Sequence, residues 1–167
     1  MGTGKSSVAR EIALTLKCPL IDTDHLIAER EGISINEIFT QKGEEYFRDL
    51  ETKVLKELTG GEDSLAVISL GGGTPLRSVN YSIIKELGYV VWLYTPTEET
   101  YKRVKENGER PLLKCDDPLA RIKELLEERA PIYDKVSHIK INTSDLTISE
   151  IATGIIDSAS YYFAEEY

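Results

Sequence analysis

The sequence predicts an α/β protein built on a parallel sheet. Two runs of consecutive apolar residues, Leu65 to Leu70 and Tyr89 to Tyr94, have the length and content of strands covered on both faces. Amphipathic stretches with helical spacing stand between and around them, and strands that alternate with helices form parallel βαβ units in a doubly wound sheet. The polar clusters also fall at the ends of apolar runs, where ligands bind in such sheets.

The elements follow in order. Val8, Ala9, Ile12, Ala13 and Leu16 share one helical face, so residues 6–16 form a helix that Lys17, Cys18 and Pro19 end. Leu20-Ile21 leads a short strand into Asp22-Thr23-Asp24. From Asp24 to about Leu58 the chain reads as helical, broken at Gly32 and Gly43, with Ser34 and Glu37 forming a capping box. Phe47, Leu50, Val54, Leu55 and Leu58 supply the buried stripe of the last piece, and Gly60-Gly61 stops it. The Leu65 to Leu70 strand runs into Gly71-Gly72-Gly73. After Pro75 comes a helix carrying Val79, Ile83, Ile84 and Leu87, closed by Gly88. Thr95-Pro96-Thr97 opens the helix after the Tyr89 to Tyr94 strand. A proline-bracketed loop from Arg110 to Pro118 precedes a charged helix, residues 119–129. Residues 138–141 make the last strand, and 148–163 the closing helix.

The totals narrow the function. A length of 167 residues suits one domain with a proper core. A net charge of −9 argues against nucleic acid or an anionic membrane as the main partner, since both require a basic footprint. No apolar run approaches the length of a membrane span, and the first residues lack the apolar core of a secretory signal. Cys18 and Cys115 form neither a C-x-x-C pair nor part of a His-rich cluster, as expected of a reduced cytoplasmic protein without structural zinc.

Gly4-Lys5-Ser6 opening an amphipathic helix reads as the end of a phosphate-binding loop. Backbone N–H groups at a helix N-terminus attract anions, a lysine reaches the outer phosphates and a hydroxyl holds Mg²⁺. The plain alternative is a helix cap by Ser6 with Lys5 in solvent. The full pattern, G-x-x-x-x-G-K-[ST], sets its first glycine upstream of Met1, and the strand that feeds such a loop is expected there too. Either Asp24 caps a helix at a polar strand end, or Asp22 and Asp24, as alternate residues of a strand, point two carboxylates into one cleft. Arg48, with Glu44 four residues before it and Glu51 three after, is a surface ion pair or an arginine held for a substrate carboxylate. Three glycines after a buried strand exceed what a turn requires, and fit close approach of backbone N–H groups to a ligand. Arg110 is a loop charge or a lid arginine. Arg129 sits at a helix end, where the helix dipole favours a cation in any case.

Taken together these segments resemble the shikimate kinase family over essentially the whole chain. The matching stretches are Met1-Gly-Thr-Gly-Lys-Ser-Ser7, Asp22-Thr-Asp24, Gly43-Glu-Glu-Tyr-Phe-Arg-Asp-Leu-Glu51, Leu70-Gly-Gly-Gly73, Arg110-Pro-Leu-Leu113 and Arg129-Ala-Pro-Ile-Tyr133. The resemblance implies a three-layer α/β/α P-loop fold with strand order 2-3-1-4-5, whose first strand is missing from the given chain. A native enzyme is expected to carry roughly ten further residues upstream, the length of a strand plus the first loop glycine. One domain, 1–167, is expected, with a helical substrate-binding part about 24–59 and a lid about 111–119.

The implied activity is ATP-dependent phosphorylation of the 3-hydroxyl of shikimate, on the route to chorismate and the aromatic amino acids. Gly2, Thr3, Gly4, Lys5, Ser6 and Ser7 are similar to the nucleotide-binding loop. Lys5 matches the phosphate-binding lysine, and Ser6 and Asp22 match the Mg²⁺ site, Asp22 through water. Asp24 matches the carboxylate that meets the reacting hydroxyl. Arg48 and Arg129 match the pair that grips the shikimate carboxylate, and Gly72 and Gly73 the backbone donors to its ring hydroxyls. Arg110 is similar to the lid arginine that touches ATP and Arg103 to an adenine-stacking residue, with residues 143–146 near the base. Shikimate and ATP are the expected partners of a cytoplasmic monomer. Two alternatives stand beside this reading. One is another small-metabolite kinase, acting on gluconate or a nucleoside monophosphate. The other is a truncated, non-catalytic chain that only binds ligand or a partner.

Overall fold

The computed structural model describes residues 2–60, 65–106 and 117–165. The chain divides into two compact units, one of residues 1–8 with 89–167 and the other of residues 9–88.

In the 9–88 unit, α1 (Lys5–Leu16, its first turn in the other unit) is followed by β1 (Leu20–Asp22), α2 (Thr23–Glu31), α3 (Ile35–Lys42), α4 (Glu44–Thr59), β2 (Val67–Ser69) and α5 (Asn80–Glu86). The two strands pair in parallel, Leu20 opposite Val67 and Asp22 opposite Ser69. Gly32 and Gly43 separate the three helices as the sequence predicts. Ile27, Ile38, Phe47 and Val54 form the core of this unit, with Leu26, Ile33, Ile35, Phe39, Leu50 and Leu58 packed around them. The apolar stripe of α4 thus goes where its 3.6-residue period directs it.

The expected capping box is present. The Ser34 hydroxyl accepts from the Glu37 amide, and the Glu37 carboxylate accepts from the Ser34 amide at 2.8 Å. The hydrogen bonds from the Ser34 side chain and backbone hold the Glu37 carboxyl below its ordinary value of 4.5. A depressed carboxyl adds stability above its unfolded value and loses it as the pH falls through the folded one. Urea midpoints of the wild type and Ser34→Ala are therefore expected to differ most above about pH 4.5 and to converge at lower pH.

The second unit holds β3 (Val91–Tyr94), α6 (Thr97–Glu106), α7 (Pro118–Val136), β4 (Ile139–Asn142) and α8 (Ile148–Glu165). β3 and β4 pair in parallel, from Val91 opposite Ile139 to Tyr94 opposite Asn142. The two pairs, β1-β2 and β3-β4, match 2-3 and 4-5 of the expected order. β2 and β3 were expected as fully buried strands, yet Val67, Ile68 and all four residues of β3 are only partly buried. Each has one strand neighbour among the described residues.

Three local expectations are corrected. α7 does not end at Arg129 but continues through Pro131 to Val136. A proline in a helix interior forfeits a hydrogen bond and crowds the preceding turn. Buried Leu125 and Val136 on either side keep the helix intact, while Pro131 itself faces solvent. Arg129 consequently lies inside a helix rather than at its end. In the segment before α5, Val79 was expected on the buried face but is 53% exposed, and Asn80 takes the interior place at 1%. The helix starts one residue later than the apolar pattern indicates. No helix among the described residues is long and apolar enough to cross a membrane.

Candidate active site

The residues read as nucleotide-binding begin in the unit of 1–8 and 89–167. Gly2 and Gly4 have φ of +68° and +79°, a region that side chains rarely adopt. A Cβ on Gly2 would stand 3.1 Å from Val104 and 3.3 Å from the Thr100 carbonyl, so this glycine lets the loop lie against α6. The Val8 amide donates to the Gly4 carbonyl at 2.9 Å, which makes Gly4 the last residue before the helix. Lys5 therefore opens α1, and Ser6 and Ser7 lie exposed in its first turn, where N–H groups and the helix dipole favour an anion.

Arg103 projects from the same helix α6. Its guanidinium donates to the Thr143 carbonyl at 3.0 Å and to the Thr143 hydroxyl at 3.3 Å, and pairs with Glu99 at 3.2 Å. Arg103 and the 143–146 segment, matched separately to the surroundings of adenine, are thus joined. Sequence reasoning missed the threonines beneath them. Thr95, Thr100 and Thr143 are all buried, with Thr95 and Thr143 hydroxyls 2.8 Å apart and Thr100 donating to the Thr95 carbonyl. Threonine at the end of a strand reads as an ordinary polar boundary, and no pattern in the sequence marks these three as one cluster.

In the 9–88 unit the predicted acidic and glycine segments converge. Asp22 is the N-cap of α2: its Oδ1 accepts from the Asp24 and His25 amides at 3.1 and 3.2 Å. Its Oδ2 accepts from the Ser69 hydroxyl at 2.9 Å on the neighbouring strand. The alternate-strand geometry expected of Asp22 and Asp24 is corrected, because the strand stops at Asp22 and Asp24 stands in the first turn of the helix, and the expected cap at Asp24 is instead Asp22. The side chain between them, Thr23, is the buried one and accepts from the Gly71 amide at 3.2 Å.

Carboxylates and an arginine crowd Gly71 and Gly73 of the glycine run. A Cβ on Gly71 would lie 2.5 Å from Asp24 Oδ1 and 2.8 Å from Glu51 Oε1. On Gly73 it would lie 2.5 Å from Arg48 Nη2 and closer still to Nη1 and Cζ. Only a glycine backbone leaves room for these groups. Arg48 is held from both sides: Nη1 donates to Glu51 at 2.7 Å, and Nη2 to Glu44 at 2.7 Å. Burial opposes its charge, but the Glu51 and Glu44 carboxylates outweigh that and raise its pKa above the ordinary guanidinium value. Its side chain is 12% exposed and Glu51 only 1%, so the pair is far from the solvated surface bridge of the plain reading. Behind them, Arg77 pairs with Glu45 and Asp49 of α4, which ties the segment after the glycines to that helix.

Gly72 is exposed in the turn, and Arg129 is a half-buried residue of α7 in the other unit. Arg110 and lid residues 111–116 lie outside the described residues. Among the described residues no group of three or more His, Cys, Asp or Glu could hold a metal ion.

Comparison with known proteins bears on this arrangement. A family model described as shikimate kinase matches residues 1–160. The chain is 43% identical to a shikimate kinase of Thermus thermophilus, over 94% of this chain and 84% of that protein. It is 40% identical to one from a Sulfurihydrogenibium species, over 93% of this chain and 91% of that protein. Among solved structures, the shikimate kinase of Acinetobacter baumannii in complex with shikimate superposes with a TM-score of 0.86 at 37% identity, covering 95% of this chain and 87% of that one.

Proposed function

Because the chain belongs to the shikimate kinase family, we propose that it transfers the terminal phosphoryl group of ATP to the 3-hydroxyl of shikimate. The observation that carries this reading is the grouping of Arg48, Asp24 and the glycine run within residues 9–88. A guanidinium presented over a bare backbone suits a carboxylate, because its planar fork donates two parallel hydrogen bonds. The half-buried Asp24 carboxylate close by suits a hydroxyl.

Each residue then has its part. Arg48, with Arg129, grips the shikimate carboxylate, while Gly72 and Gly73 meet the ring hydroxyls. Asp24 orients the 3-hydroxyl and accepts its proton late in the transfer, a moderate contribution in a loose transition state. Gly2 to Ser7 cradle the phosphates, Lys5 neutralises the charge that gathers on the transferring group, and Arg103 lies against adenine. Arg110 is the arginine matched to contact with ATP, beside a lid about residues 111–119 whose role would be to exclude water.

Mg²⁺ would be held by Ser6 directly and by Asp22 through water. The hydrogen bonds already made by both Asp22 oxygens fit the water-mediated role. When bound, the ion supplies charge neutralisation. The reading covers one kinase domain over 1–167, with its substrate-binding part about 24–59. It takes the protein to be a cytoplasmic monomer, in keeping with its acidic charge and its two cysteines outside any metal or disulfide pattern.

An assay of ADP release with ATP and shikimate tests the reaction, with gluconate and nucleoside monophosphates as competing acceptors. Shikimate-dependent turnover alone is the expected result, and turnover with another acceptor but not shikimate refutes it. Arg48→Lys keeps the charge but not the fork, and is expected to raise the shikimate KM about tenfold with the ATP KM unchanged.

A further inference from the structure

Behind Arg48 runs a chain of buried polar groups that leads away from the substrate residues. Glu51 turns Oε2 to Arg48, and its Oε1 accepts from the Thr74 hydroxyl at 2.5 Å. Thr74 opens a short 3₁₀ turn directly after Gly73, with its amide donating to the Gly71 carbonyl at 3.1 Å. The Thr74 carbonyl accepts from Asn80 Nδ2 at 2.8 Å. Glu51, Thr74 and Asn80 are each exposed by 1% or less. We propose that Thr74 and Asn80 are positioning residues for the acceptor substrate: they fix the Glu51 carboxylate, and through it the Arg48 guanidinium, over Gly73.

The reasoning starts from a cost. Asn80 Oδ1 is buried without a hydrogen-bond partner among the described residues. A buried, unsatisfied acceptor destabilises a fold, and an apolar side chain of the same size would avoid that penalty. The position also lies one residue after Val79, an apolar side chain left in solvent. Asparagine in the interior therefore answers to something other than packing, and among the described residues its one side-chain hydrogen bond goes to the carbonyl of Thr74. That contact fixes the peptide from which the Thr74 hydroxyl is aimed at Glu51. Without the hydroxyl, Glu51 Oε1 keeps no donor on that side, and the carboxylate is free to rotate. Arg48 would then follow Glu51, or swing out to Glu44, which is 61% exposed. A guanidinium that wanders by an ångström no longer matches a carboxylate through both hydrogen bonds.

The proposal rests on Arg48 as the residue that binds the shikimate carboxylate, so the test separates the two claims. Shikimate and ATP saturation curves are measured for Asn80→Leu, Thr74→Val and Thr74→Ser, each also in an Arg48→Ala background. Thermal melting accompanies every variant. Expected are an approximately tenfold rise in shikimate KM for Asn80→Leu and Thr74→Val, an unchanged ATP KM, and near wild-type behaviour for Thr74→Ser, which retains the hydroxyl. In the Arg48→Ala background the same changes are expected to add nothing to the loss of kcat/KM, because they act through the missing guanidinium. An unchanged shikimate KM in the single variants, or the same tenfold loss with Arg48 already removed, overturns the proposal. An Arg48→Ala enzyme with wild-type shikimate KM instead overturns the carboxylate-binding assignment and the positioning role with it. Should Asn80→Leu fail to fold, Thr74→Val against Thr74→Ser decides the matter, since the two differ from the wild type by a hydroxyl or a methyl group.

Discussion

Gly73→Ala is expected to lower kcat/KM for shikimate by about 10²–10³-fold and to lower the melting temperature less than Gly71→Ala does. Gly73 has φ −88° and ψ −19°, a conformation open to any residue, so the backbone does not demand glycine. The demand is spatial. An added Cβ would occupy the place of the Arg48 guanidinium, within 2.5 Å of Nη2 and nearer to Nη1 and Cζ. The far end of a long side chain can swing aside toward the exposed Glu44, so the cost to the fold is the lost contact with Glu51 and not a backbone shift. It cannot do so and still present both Nη atoms to a carboxylate above Gly73. Gly71→Ala provides the contrast, because its Cβ would press on Asp24, Glu51 and Thr74, three short or buried side chains with little freedom to retreat. That variant should lose more stability than Gly73→Ala. Measuring kcat/KM beside the melting temperature separates the two cases. A Gly73→Ala enzyme with ordinary shikimate kinetics would show that Arg48 does not work over this glycine.

The contrast between these two glycines also marks how far the sequence could be read. Three glycines after an apolar run were read as room for a ligand, and the structure fills the space beside Gly71 and Gly73 with the protein's own side chains. Which groups approach was invisible, since Asp24, Arg48 and Glu51 are brought to the run by the packing of α2 and α4. Local chemistry was legible where partners lie within one turn. The Ser34 and Glu37 box and the breaks at Gly32 and Gly43 are of this kind. The reading failed where tertiary burial overruled a local rule. Pro131 was taken as a stop, but a helix buried at Leu125 and Val136 runs through it. Val79 was placed inside by its period, yet the helix begins at Asn80. Asp22 and Asp24 were paired by strand alternation, whereas the cap at Asp22 ends the strand between them. The threonines under Arg103 had no signal at all, because a hydroxyl carries no period and its partners are 40 and 48 residues away.

The second large effect belongs to Glu51. Replacing it by glutamine is expected to destabilise the protein by about 3–5 kcal/mol, the range for removing one partner of a buried ion pair. At 2–4 °C per kcal/mol for a chain of this size, the melting temperature should fall by roughly 6–20 °C. The carboxylate is 1% exposed and faces two donors, the Arg48 guanidinium at 2.7 Å and the Thr74 hydroxyl. A glutamine offers one oxygen and one amino group, so one of those donors must meet another donor. Arg48 retains Glu44, but that carboxylate is 61% exposed and screened by water, which compensates only in part. The loss should therefore lie toward the lower end of the range and not vanish. The double variant Glu51→Gln with Arg48→Met provides the check, because it removes both charges and leaves none stranded. It is expected to recover part of the lost stability while remaining unable to bind shikimate. If Glu51→Gln costs less than about 1 kcal/mol, the pair behaves as a solvated surface bridge. Glu51 could then not be what holds the guanidinium in place, and the rigidity inferred for the substrate side would have to come from packing against Phe39 and Phe47, whose rings lie 6.0 and 5.6 Å from Arg48.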